Sequence, residues 1–144
     1  MANVVPDSFK TDLLKGTFNF DSSGGSTFKL ALYTDISGFT TSTTAFTATN
    51  EVGTSGTNYS SGGNTLTNNG VAISSNIAFV DFADLTFSSV TLSAVGALIY
   101  KSGGSNEAVL VLDFGGTKTA TNGDFVVQFP TASNSAAIIR LGNA

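Results

Sequence analysis

The side chains that could do chemistry in this chain are carboxylates. Asp81 and Asp84 sit three apart in Asp81-Phe82-Ala83-Asp84, and Asp113 and Asp124 also fall near the ends of apolar runs. Paired carboxylates can hydrolyse glycosides or hold a calcium ion through their oxygens. The plainer expectation is that Asp84 starts a turn and Asp81 faces solvent or bonds backbone amides. The groups that other chemistries need are missing. The chain has no His and no Cys, which removes the usual general base and zinc ligand, thiolate nucleophiles and disulfides. A Ser nucleophile would have to use Lys or a carboxylate as its base, and no G-x-S-x-G elbow occurs. No GxGxxG or GxxxxGK[ST] loop occurs either. No catalytic, cofactor or metal residue is assigned, and an enzyme is not expected.

Two weaker signals concern sugars. Tyr33, Tyr59 and Tyr100 could stack on sugar rings, although a lone strand tyrosine is more often a plain sheet or interface residue. Asn58-Tyr59-Ser60 matches the glycosylation acceptor pattern. Chance explains that match in a chain so rich in Asn, Ser and Thr, and the opening MANVVPDSFK lacks the basic-then-apolar order of a secretory signal.

The elements that must carry these residues are strands. The 144 residues suit one domain, 1–144, with 41% hydrophobic residues and 12 Phe to fill a core. Charged residues are only 11%, well below the roughly 25% of an average domain. Polarity comes from Thr, which suits strands, and from Ser, Asn and Gly, which suit turns. The net charge of −4 and six scattered basic residues argue against a nucleic-acid partner or an anionic membrane surface. No apolar run is long enough to span a bilayer.

The strongest signal is the hairpin across 94–114. Gly96–Tyr100 and Ala108–Phe114 are apolar strands, and Ser102-Gly103-Gly104-Ser105-Asn106 between them is turn chemistry. Ahead of it, Asp7 or Ser8 can cap a two-turn helix that ends at Lys15 and Gly16, with Phe9 and Leu13 on one face and Leu14 beside them. So short a helix, within a 1–16 arm, must dock on the fold or on a neighbour. Thr17–Phe20 and Thr27–Thr34 read as a hairpin, with the second strand half-buried. Residues 35–63 form a long irregular loop, where Phe39 and Phe46 are equally open to core and to partner contact. Asn64–Thr67 is a short strand, Asn69-Gly70 a type I′ turn leading to Val71–Ile73, and Ile77–Phe82 a strand. Leu85–Leu92 follows, with a bulge or break expected at Ser88-Ser89. Asn122-Gly123 is a turn before Phe125–Phe129, Pro130 ends that strand, and Ala136–Leu141 closes the sheet. In Ala108–Phe114, Val109 and Val111 oppose Leu110 and Leu112, so both faces need cover: a second sheet on one, an adjoining subunit or the helix on the other. The sum is an all-β, antiparallel sandwich or jelly roll of about eight strands with one short N-terminal helix.

Several blocks together carry a resemblance. They are ANVVPDSFKTDLLKG (2–16), FKLALYT (28–34), TNEV (49–52), YSSGGNTL (59–66), VDFADLTFSS (80–89), GALIY (96–100), AVLVLDFGGTKT (108–119), GDFVVQFP (123–130) and AIIRL (137–141). Across nearly the whole chain this resembles a family of small virion structural proteins of tailed bacteriophages, especially the capsid decoration or cement type. The resemblance implies a protein on the outer head surface, assembled in the host cytoplasm, that bridges copies of the major capsid protein as a homo-oligomer, with a trimer favoured. It implies no catalytic residues. The interface candidates are Phe9, Leu13, Leu14, Phe39, Phe46, Val109 and Val111. A tail- or fibre-associated module that binds host-surface glycans through 35–63 and the tyrosines is the alternative.

Overall fold

A computed structural model describes residues 3–143. One helix, α1 (Asp7–Leu14), precedes seven strands. They are β1 (Phe28–Tyr33), β2 (Asn64–Thr65), β3 (Asn68–Ser74), β4 (Ile77–Phe82), β5 (Leu85–Lys101), β6 (Ala108–Val127) and β7 (Ile139–Leu141). They form two antiparallel sheets, ordered β2-β1-β5-β6 and β3-β4-β7, packed together as a sandwich-like, mostly β fold.

The 94–114 hairpin forms in the expected place. Gly96 pairs with Asp113, Leu98 with Val111 and Tyr100 with Ala108, around a tip where Gly103, Gly104 and Asn106 take positive φ. The hairpin is longer than its apolar core suggested. β5 runs 17 residues and β6 runs 20, because Leu85–Leu92 and Phe125–Val127 continue the same two strands. Asn122-Gly123 is therefore not a turn. Asn122 (φ 46°) sits at a register shift opposite Val90–Leu92, inside β6. Asn69-Gly70 is likewise a bulge in β3 and not a type I′ turn. In both places the residue pair supplies a left-handed backbone, which serves a bulge as well as a hairpin. The β3–β4 turn is Ser75-Asn76, with both φ values positive (50° and 66°). The break expected at Ser88-Ser89 is present as a shift between Phe87 and Val90, with Ser89 at φ 54°.

A further bulge re-aims the most apolar strand. Ile99 pairs with Leu110 but Tyr100 pairs with Ala108, so Val109 is an extra residue. Val109 consequently packs with Leu110 and Leu112 on the inter-sheet side, and Val111 lies alone on the opposite face. The strict alternation of the two Val against the two Leu does not hold.

β1 is buried on both faces, where a half-buried strand was expected. Phe28, Leu30 and Leu32 enter the inter-sheet core with Ile99, Leu110, Val80 and Phe82. Ala31 and Tyr33 enter a second core with Leu98, Tyr100 and Val111, covered by Ile36 and Phe39 from the 35–63 loop. The segment 17–20 is not a strand; one backbone bond joins it to the chain past the loop, Ser26 N–H to the Asn19 carbonyl at 2.8 Å. It delivers Phe18 and Phe20 into a ring cluster instead. Phe20 stacks on Phe28 at 4.6 Å, Phe28 meets Phe82 edge-on at 5.7 Å, and Phe9 lies 5.0 Å from Phe18.

α1 docks on its own chain through Phe9, which is buried. Neither Asp7 nor Ser8 caps it. Pro6 is the N-cap, Asp7 bonds Lys10 Nζ at 2.8 Å, and Ser8 Oγ donates to the Thr43 carbonyl at 3.0 Å. The C-terminal stop is as expected. Gly16 (φ 81°) donates to Leu13 O, and Thr17 N–H reaches back to Asp12 O at 3.0 Å, the paired bonds of a Schellman end.

Candidate interaction surface

Three tyrosines and Glu51 hold the long loop to the sheet. Tyr59 Oη accepts the buried Leu32 N–H at 3.0 Å and donates to Glu51 Oε1 at 2.8 Å. Glu51 also accepts from Ser61 Oγ and from Gly62 N–H. Tyr100 Oη donates to the Gly62 carbonyl and Tyr33 Oη to the Thr47 carbonyl, both at 2.7 Å. Burial, with the Glu51 charge nearby, raises the pKa of all three tyrosines above the ordinary phenol value. The three rings are buried, so none is presented to a sugar, contrary to the expectation that they could stack on one.

The carboxylates are separated and occupied. Asp84 accepts Phe129 N–H at 2.8 Å, Asp81 accepts Asn69 Nδ2 at 2.7 Å, and Asp124 accepts Ser89 N–H at 3.2 Å. Asp113 accepts Gly115 N–H at 2.8 Å, and that bond holds its carboxyl below the usual range. Asp81, expected to face solvent or to bond backbone amides, takes a side-chain amide at an exposed site. Among the described residues no three metal-capable side chains gather in one place, and no helix is long and apolar enough to cross a membrane. Asn58, of the glycosylation-like triplet, donates through Nδ2 to the Ser89 carbonyl at 3.2 Å and so fixes the β5 bulge.

What faces outward at one end of the molecule is apolar. α1, Val5 and β7 enclose a groove of about 550 Å³ lined by Leu13, Leu14, Val109, Ile139 and Leu141 among others. Leu14 is 84% exposed, Leu141 61% and Val5 41%. Lys10 and Arg140 stand at its rim, the first paired with Asp7 and the second donating to the Ser135 carbonyl at 2.7 Å. Helix periodicity puts Leu14 one position beyond Phe9 and Leu13, on the flank that the docked helix leaves open.

The seven interface candidates part company here. Val109 and Val111 are fully buried within the chain, and Phe9 and Phe39 are buried. An adjoining subunit is not what covers Val109 and Val111; their own loop, N-terminal segment and helix region do. Phe46 is half-buried and lies 4.8 Å from the Tyr100 ring. Leu13 is half-buried, and Leu14 alone is fully presented. Val5 and Leu141 were not foreseen. Val5 lies beside Pro6 in the chain's first residues, and Leu141 ends a strand that reads as sheet closure, so neither carries a periodic signal.

No family model, curated protein or solved structure matches this chain.

Proposed function

We propose that this chain is a bacteriophage virion structural protein, a capsid decoration or cement protein that binds the outer head surface and stabilises contacts between capsid subunits. The observation that carries the proposal is the exposed apolar groove bounded by Leu14, Val5 and Leu141. Large apolar side chains held open on a rigid rim favour association with another protein surface. The resemblance of the sequence blocks to virion structural proteins supports the head as that surface. A homo-oligomer, a trimer by the same resemblance, multiplies modest individual contacts into firm attachment.

Purified protein mixed with expanded heads lacking it tests the proposal. Saturable binding and raised head stability are expected, with Leu14→Asp lowering affinity at least tenfold while its melting temperature stays unchanged. Protein that ignores heads and co-purifies with tails contradicts it. Tail placement would favour the glycan-binding alternative, which must then use residues other than the buried tyrosines.

A further inference from the structure

The four outer edges of the two sheets are not treated alike. β2 is two residues long. β6 is blocked at Val111 by Val4, which exchanges backbone bonds of 3.0 and 2.8 Å with it, and its far half carries Lys118, Asp124 and bulges. β7 spans three residues, one of them Arg140. β3 is different. It spans Asn68–Ser74, holds no ionisable residue or proline, and runs regularly from Val71 to Ser74. The 20–22 segment lies against its start, at Asn68 and Gly70, and a regular edge without charge or proline, as at Val71–Ser74, is a template for another strand.

The groups on that edge can be assigned. In a two-residue hairpin the pair flanking the turn, Ser74 and Ile77, is hydrogen-bonded, and bonded pairs then alternate. Ala72 therefore bonds Phe79, and the N–H and C=O groups of Val71 and Ile73 point away from the sheet. Their side chains share the inner face, because Val71 stands across from Val80, which is buried, and Val80 from Ile139. The next row is Ile73, Ala78 and Leu141. Both rows stop at the β3 edge with Val71 57% and Ile73 73% exposed. The apolar face thus runs out to an edge where Ile73 and Val71 stay largely exposed, Val71 sharing a shallow cleft with Phe18 and Phe20.

We propose that β3 pairs antiparallel with β3 of a second copy of this chain, about a twofold axis at Ala72. That register is self-complementary. Val71 faces the partner copy's Ile73 and the reverse, so every outward donor meets an acceptor and both apolar rows continue across the axis. No charge lies on the strand to oppose two chains that each carry −4. The two three-stranded sheets become one of six strands. The contact is twofold, separate from any threefold association, and does not depend on attachment to heads.

Cysteine placement tests the axis directly, because the chain has no other Cys. Ala72 would meet its own copy as a non-hydrogen-bonded pair with Cα atoms about 4.5 Å apart, a separation that a disulfide spans. Ala72→Cys should become a covalent dimer under mild oxidation. Ser74→Cys, whose two copies would stand about 14 Å apart, should not. In sedimentation, Val71→Lys with Ile73→Lys should abolish any concentration-dependent dimer while far-UV circular dichroism and melting stay unchanged, since both side chains are exposed. An Ala72→Cys protein that does not link, or association indifferent to the lysines, overturns the proposal.

Discussion

At the residue scale, the phenol oxygen of Tyr59 ties the long loop to the sheet. It joins a buried strand amide, Leu32 N–H, to Glu51 in the loop. Tyr59→Phe keeps the ring and strands the amide, so it should cost about 1–3 kcal/mol, read from urea unfolding; a change below about 0.5 kcal/mol would deny the bond its role. The tyrosines also set an alkaline limit. Each favours its neutral form in the folded chain, so their contribution is intact below the ordinary value of 10.0 and is lost as pH rises past it. Tyrosinate absorbance should therefore rise together with the loss of circular dichroism, in one step above that value. Three phenols that ionise near 10 in a still-folded protein would contradict their burial. None of this network is visible in the sequence, where the tyrosines lie 26 and 41 positions apart. Pairing between distant segments brings them together, and no local pattern reports it.

At the element scale, the legible parts were those with a local cause. Turn chemistry at 102–106 and the helix stop at Gly16 are written in adjacent residues. The Asn-Gly pairs were legible only in part. They specify a left-handed backbone, but whether the chain reverses or merely kinks depends on the strand it faces, β5 for Asn122 and β4 for Gly70. The helix could not be assigned to core or arm from its length, and Phe9 settles it as core. Phe9→Ala should cost about 3–5 kcal/mol, whereas Leu14→Ala should change stability by less than about 0.5 kcal/mol. Equal effects in thermal unfolding would mean that the helix docks elsewhere. Gly63 marks where the loop returns to the sheet. It has φ 75°, and a Cβ there would overlap the Leu30 carbonyl. Gly63→Ala should cost about 2–5 kcal/mol from left-handed strain plus forced separation of β1 and β2.

At the scale of the whole molecule, the chain is a scaffold whose buried tyrosine hydroxyls tie its long loop to the sheet and whose apolar residues break the surface at one end. Val5, Leu14 and Leu141 are exposed there, around α1 and β7, while Val71 and Ile73 are exposed on the β3 edge, and among the described residues Val126 is the remaining large apolar side chain of comparable exposure. The sandwich class was legible because strand periodicity and turn spacing survive without knowledge of pairing. The contact end was not, because exposure depends on how α1 and β7 flank each other across more than 120 positions. Under the proposed function, Val5, Leu14 and Leu141 form the face that meets the capsid. A cryo-EM map of the whole virion tests that most directly. Density for this fold on the outer capsid, with Leu14 and Leu141 turned toward the capsid proteins, is the predicted result; density confined to the tail or its fibres would contradict the account.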